Sequence, residues 1–131
     1  MKAVWTDPAL VISPYRVALC LTEKQYVEEL RALEIPKKLR SPFVLEGCGA
    51  TTHTFDNLSG NPSVILVCLK GDPRQTLNQV HALIVHEATH VWQWVKKMLG
   101  EDEPSKEFEA YSLQSITRGL FDAYDEMTEN K

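Results

Sequence analysis

Residues 76–99 carry the clearest helical pattern in the chain, and they constrain the fold more than any other segment. Apolar side chains recur there every three or four residues, at Leu77, Val80, Ile84, Ala88, Val91, Val95 and Met98. Other apolar residues lie between these positions, so we expect neighbours on several sides of the helix. Gly100 follows two lysines and is a typical helix end. The pattern therefore predicts one long helix around which the rest of the chain packs.

The preceding sequence predicts a strand, a helix and a hairpin. Residues 16–21 (RVALCL) are β-rich. The TEKQ that follows has the Thr-x-x-Gln spacing of a capping box, which predicts a helix over about 23–34. The Thr-rich ATTHTF (about 50–55) and the apolar SVILVCL (about 63–69) flank the turn formers DNLSGNP, so we predict an antiparallel hairpin. The apolar arm is expected to be central and the Thr-rich arm to be an edge.

The two ends of the chain complete the predicted architecture. Residues 1–16 contain two prolines and are predicted to be irregular. Pro104 favours a helix start, which predicts a second long helix over about 104–124. The elements together predict a single α+β domain over residues 1–131, with a small antiparallel or mixed sheet packed on two helices.

Composition excludes several functional classes. The 131 residues carry a net charge of −4 and no basic stripe, so nucleic acid is not an expected partner. No apolar run approaches the roughly 18 residues of a membrane span, and no signal peptide is predicted. The three cysteines, Cys20, Cys48 and Cys68, form no C-x-x-C pair. Their odd number predicts free thiols in a reducing, cytoplasmic compartment.

The long helix contains two histidines and a glutamate, in LIVHEATHVWQWV. His86 and His90 lie about 40° apart around the axis and one turn apart along it, so both imidazoles can reach one tetrahedral metal. Glu87 points about 100° away and can hold a metal-bound water. This H-E-x-x-H arrangement supplies two zinc ligands and a general base.

The motif alone is a weak signal, and its surroundings strengthen it. A shuffled chain of this composition contains H-E-x-x-H about once in a hundred trials. The motif lies inside an apolar helix, where burying two histidines and a glutamate is costly unless their polar atoms have bonding partners. The alternative is a partly exposed helix face with ordinary polar residues.

A hydrolytic zinc site needs a third protein ligand and an open position for water. His81 lies about 140° around the helix from the first histidine and is expected to be a surface or cap-like residue. His53, on the predicted edge strand, is one candidate ligand. Glu107 and Glu109, early in the second long helix, are the stronger candidates.

Chain length restricts how those glutamates reach the metal. The first helix continues for about 13 Å beyond His90 before Gly100, at 1.5 Å per residue. Five extended residues span about 17 Å. We therefore predict that residues 100–104 run back along the first helix and bring the start of the second helix toward the histidines.

HEATH followed by EFEAY resembles the gluzincin metallopeptidases, in which a helical glutamate downstream of H-E-x-x-H is the third zinc ligand. The resemblance implies Zn²⁺ as the cofactor and Glu107 as that ligand, with Glu109 as the alternative. Tyr111 stands where these families carry Asp or Asn. It is then expected to orient a zinc-bound histidine or to stabilise an oxyanion. The alternative for Tyr111 is a core aromatic with a satisfied hydroxyl.

The segments ALCLTEKQY, VHEATHVWQ and PSKEFEAYSLQSI resemble small zinc peptidases encoded by phages and prophages. This resemblance implies a minimal zincin-like domain, in which the sheet packs on the H-E-x-x-H helix and on the glutamate-bearing helix. In full-size gluzincins a large C-terminal subdomain forms half of the cleft, and these 131 residues are not expected to include it.

These residues predict a zinc-dependent peptidase that acts on a peptide or protein substrate. Glu87 is the expected general base, and Tyr111 or His53 is expected to polarise the scissile carbonyl. Thr52 and His53 lie on the edge strand, where an extended peptide can add as a further strand. The alternative function is a zinc-binding structural or interaction protein of a phage with little turnover. A metal-free helical adaptor is a third hypothesis.

Overall fold

A computed structural model describes residues 1–6, 15–56 and 63–129. It confirms the α+β class, with one mixed four-stranded sheet and three α-helices. The elements are β1 (Val4–Trp5), β2 (Arg16–Cys20), α1 (Glu23–Ala32), a short 3-10 turn (Lys37–Leu39), β3 (Ala50–Phe55), β4 (Val64–Leu69), α2 (Leu77–Met98) and α3 (Lys106–Glu129).

The sheet has the order β1-β2-β4-β3, with β2 and β4 parallel and both outer strands antiparallel to their neighbours. The predicted hairpin is confirmed, because β3 pairs with β4 from Ala50 opposite Leu69 to Phe55 opposite Val64. All six residues of β4 are buried, as expected for a central strand, and β3 is an edge. Most of the predicted turn, residues 57–62, lies outside the described residues.

The alternation of side chains along the strands gives the sheet two apolar faces. On one face, Ile65, Val67 and Leu69 of β4 pack with buried residues of α2 and α3. On the other face, Leu66 and Cys68 pack with α1. Cys20 and Cys68 are buried free thiols, as predicted, and Cys48 is an exposed one. The sheet therefore separates the two long helices from α1.

Capping side chains determine where the first two helices begin. The predicted capping box of α1 is confirmed, with Thr22 and Gln25 bonding each other's backbone N–H groups. Thr76 and Gln79 form the same arrangement at the start of α2. Gly100, at φ 73°, follows the end of α2 in the left-handed region that glycine tolerates best.

The N-terminal segment corrects one expectation. Val4–Trp5 is a short strand, paired antiparallel with β2 at Leu19 and Ala18, rather than irregular chain. Two residues are too few for a periodic pattern, so only pairing with β2 reveals them. Residues 7–14, also predicted to be irregular, lie outside the described residues.

The helix α3 is longer than predicted and lies along α2. It spans Lys106–Glu129, whereas the sequence predicts about 104–124. Its first turn is capped by Ser105, whose Oγ accepts a hydrogen bond from the Phe108 backbone at 3.2 Å. No helix in the described ranges is both long and apolar enough to cross a membrane.

We expect Ser112→Ala to raise the free energy of unfolding by about 1 kcal/mol, measured by urea denaturation. Ser112 is fully buried in α3, and its hydroxyl makes no hydrogen bond among the described residues, so its burial costs stability. The control is Ser115→Ala, at a half-buried position on the same helix. Its change in the free energy of unfolding measures only the higher helix propensity of alanine. Equal gains for both variants, or a loss for Ser112→Ala, contradict this account.

Candidate metal centre

His86 and His90 face each other on the outer side of α2. Their Nε2 atoms are 3.2 Å apart, and the two rings are nearly perpendicular, with an interplanar angle of 79°. Two nitrogens bound to one tetrahedral zinc at about 2.0–2.1 Å lie about 3.3 Å apart. The pair therefore has the spacing of two ligands to one metal ion, as the four-residue separation predicts.

Gln93, one turn beyond His90, determines which nitrogen of that ring is available. Its Oε1 lies 2.9 Å from His90 Nδ1. An amide oxygen that accepts a hydrogen bond from Nδ1–H leaves Nε2 with a lone pair directed at His86. Histidine ligands of metals are usually held in one tautomer by such a bond on the other nitrogen. From the sequence, Tyr111 is the residue expected to orient a zinc-bound histidine. Gln93 was not predicted, although i,i+3 spacing on a helix places it within reach of His90.

Glu87 is buried between α2 and the edge strand. Only 4% of its surface is exposed. Thr52 Oγ1 donates a hydrogen bond to Oε1 at 2.8 Å, and Oε2 lies 3.9 Å from His86 Nε2. Helix geometry turns Glu87 about 100° from His86, toward β3. One carboxylate oxygen is therefore held by the sheet, and the other lies close to the histidine pair.

A groove of about 830 Å³ adjoins this pair on the side of the edge strand. Its lining includes Gly49, Ala50 and Leu83, together with the ion pair between Asp72 and Arg74 at 3.2 Å. His86 and Glu87 also line it. The groove thus lies along the N-terminal half of α2 and reaches His86 and Glu87.

The start of α3 returns along α2, as predicted, but it meets α2 at Trp92 and not at the histidines. Trp92 is buried, and its Nε1–H donates to Glu109 Oε2 at 2.9 Å. Its ring meets the ring of Phe108 edge-on at 5.7 Å between centroids. Lys96 Nζ lies 3.7 Å from the same Glu109 oxygen. Glu109 is thus engaged by Trp92 and Lys96, on a side of α2 away from His86 and His90.

Glu107 and Tyr111 lie on an outward face of α3. Glu107 is exposed, and 62% of Tyr111 is exposed. Residues two apart on a helix point about 200° apart, so Glu107 points away from the surface that Glu109 buries against α2. Tyr111, four residues further along, shares that outward face. The alternative of a core position for Tyr111 is wrong.

The residues 1–6, 15–56 and 63–129 contain no group of three or more His, Cys, Asp or Glu that could hold a metal ion. His86 and His90 come together with Glu87, while Glu107 and Glu109 do not join them. The donor set present fits two ligands and a base. Zinc ligation by Glu107 therefore stays a prediction, and it requires the first turn of α3 to move.

His53 faces the other side of the sheet. It is buried, its Nε2 lies 2.9 Å from the carbonyl oxygen of Phe43, and its ring packs at 4.7 Å from that of Tyr26. Adjacent residues of a strand point to opposite faces, so Thr52 faces α2 and His53 faces α1. This orientation corrects the expectation that His53 binds the metal or substrate. Burial lowers the pKa of His53, and its bond to Phe43 opposes this shift.

Three other aromatic side chains near the motif, His81, Trp92 and Trp94, pack against neighbouring residues. His81 is half-buried, and its ring lies 4.7 Å from that of Phe121 in α3, so it packs between helices and is not a plain surface residue. Trp92 is core, whereas the half-exposed Trp94 carries Lys97 Nζ at 5.2 Å from its ring centre. Neither His81 nor Trp92 is available to a ligand.

Comparison of the chain with models of known protein families, with curated proteins and with solved structures finds no match.

We expect His53→Phe to lose less stability than the wild type when the pH is lowered. Because the pKa of His53 is lowered in the folded state, the unfolded chain takes up the proton first as the pH falls below about 6.5. The native protein therefore loses stability from about pH 6.5 downward. Urea midpoints at pH 7.5 and 5.0 measure the effect, with His81→Phe as the control. If the urea midpoint changes equally between the two pH values in the wild type and in His53→Phe, this prediction is wrong.

Proposed function

We propose that this protein is a zinc-dependent peptidase of gluzincin type, like the phage- and prophage-encoded zinc peptidases that its sequence resembles. One observation carries the proposal: the buried Glu87 carboxylate lies beside two histidine nitrogens that are spaced as ligands of one metal. A helix surface with accidental histidines has no reason to bury a glutamate next to them, because burial of a carboxylate is costly.

His86 and His90 would hold the ion through Nε2, with Glu107 as the proposed third ligand. A bound zinc lowers the pKa of its water toward neutrality and polarises a carbonyl oxygen. Glu87 Oε2 accepts a proton from the attacking water and passes it to the leaving amine. Gln93 keeps His90 Nε2 unprotonated and directed at the ion.

The surroundings of the pair suit an extended peptide. The groove on the edge-strand side is open, and its lining combines small residues with polar and charged ones. The strand β3 is an edge of the sheet, so a peptide can pair with its free backbone groups. Tyr111 is exposed on α3, three residues after Phe108, whose ring contacts that of Trp92. We propose that Tyr111 approaches the substrate only when α3 moves.

Glu107 remains the preferred third ligand because Glu109 has other partners. Glu109 accepts from Trp92 and lies near Lys96. Within the described part of the chain, Glu107 makes no hydrogen bond or ion pair that it would lose on binding a metal. As a metal ligand, Glu109 would give up its own bonds to Trp92 and Lys96, whereas the carboxylate of Glu107 has no such partner to exchange among the described residues.

A second function is a zinc-binding structural or interaction protein with little turnover. The observation in its favour is the exposure of the histidine pair, since 66% of the His86 side chain is open to solvent and no third ligand is grouped with it among the described residues. A metal held there would reinforce α2 or bind a partner's ligand without a closed cleft. Such a site has no use for a buried carboxylate as a base.

Glu87→Gln is expected to abolish peptide cleavage while zinc binding persists. The amide keeps the shape and the acceptor oxygen of the side chain but cannot take a proton at neutral pH. Zinc content by elemental analysis and cleavage of a peptide library are measured for both proteins, with Glu28→Gln, an exposed position on α1, as the control. Zinc in both proteins with cleavage in neither supports the second function. No stoichiometric zinc in either protein rules out both functions.

Separate Glu107→Gln and Glu109→Gln variants identify the third ligand. We expect Glu107→Gln to weaken zinc binding by more than the roughly 10–100-fold that loss of an outer-shell partner costs. Glu109→Gln should leave zinc binding within about threefold and lower stability, because it alters the contact with Trp92. Competition titration with a chelating dye measures the affinity. The reverse pattern assigns the ligand to Glu109.

A further inference from the structure

The hydrogen bond between Thr52 and Glu87 joins two parts of the chain that are 35 residues apart. Thr52 lies in the middle of the edge strand β3, opposite Val67 of the central strand. Its hydroxyl lies 2.8 Å from Glu87 Oε1. The register of β3 on β4 therefore determines where this hydroxyl lies relative to α2.

The bond makes the two oxygens of Glu87 inequivalent. Oε1 is occupied by the Thr52 hydroxyl, and Oε2 lies 3.9 Å from His86 Nε2. A carboxylate rotates easily about its last bond, because such terminal torsions are broad. A hydrogen bond to one oxygen restricts that rotation and keeps the other oxygen on the side of the histidines.

We propose that Thr52 is a positioning residue, which orients the general base Glu87 through this hydrogen bond and makes no contact with the substrate. The proposal rests on the proposed peptidase function. It also replaces the substrate-binding role that the edge-strand position predicts for Thr52. The hydroxyl is committed to Glu87, whereas substrate pairing would use the backbone of β3.

The two roles of Thr52 give different kinetics. A substrate-binding hydroxyl contributes to KM. A hydroxyl that orients the base contributes to the chemical step and hence to kcat. Outer-shell partners of metal centres typically cost about 10–100-fold in activity when removed, so we expect a kcat loss of that size.

The kinetic experiment compares zinc-loaded wild type with Thr52→Val, Thr52→Ser and Thr54→Val on the best peptide found for the wild type. Thr52→Val should lose about 10–100-fold in kcat with KM and zinc content unchanged. Thr52→Ser, which keeps the hydroxyl, should retain most of the wild-type kcat. Thr54→Val, two residues along on the same face of β3, controls for replacing a strand threonine.

Three kinetic outcomes overturn the proposal while leaving the peptidase function intact. One is a Thr52→Val enzyme with kcat within twofold of wild type. Another is a raised KM at unchanged kcat, which returns Thr52 to substrate binding. Failure of Thr52→Ser to restore kcat also overturns it, since the hydroxyl would then not be the active group.

A second measurement tests the bond without any activity. In metal-free protein, a hydroxyl proton bonded to a buried carboxylate should exchange slowly enough with water to give its own NMR resonance. We expect that resonance to be lost in Thr52→Val and shifted in Glu87→Gln, and to be unchanged in Thr54→Val. Its absence from the wild type overturns the proposal. An inactive wild type with this resonance refutes the peptidase function alone, because Thr52 then still orients Glu87.

Discussion

The packing of α2 against one face of the sheet is the interaction on which the rest of the structure depends. Ile84, Ala88, Val91 and Val95 are fully buried against the strands and α3. Burial of this stripe fixes the rotation of the helix about its own axis. In this orientation of α2, His86 lies outside the core and Glu87 points toward β3. A rotation by one residue, about 100°, would exchange these positions and bury a histidine instead.

The candidate centre is therefore arranged in two layers. The histidine pair and Gln93 lie on the outer surface of α2, where their geometry depends only on the helix. The carboxylate of Glu87 lies beneath them, where the hydroxyl of Thr52 satisfies one oxygen. A buried carboxylate needs such a partner, since an unpaired one is strongly disfavoured. The edge strand is thus part of the site even where it touches no metal.

Local patterns in the sequence predicted much of the fold. The capping box of α1, the long α2 and the β3–β4 hairpin are all confirmed, since each depends on residues near one another in the chain. The strand β1 is missed because two residues carry no periodicity, and it exists only through pairing with β2. The orientation of His53 is likewise missed, because a Thr-rich edge strand does not reveal which of its faces meets α2.

For the candidate site, the sequence by itself determined the spacing of His86 and His90, because four residues on a helix always place two side chains one turn apart. It also showed that the connection is long enough for α3 to return along α2. Only the tertiary structure decided that Thr52, and not His53, meets Glu87, and that Glu109 meets Trp92. Those contacts depend on strand register and on how the helices rotate as they pack, and neither is encoded within a local stretch of residues.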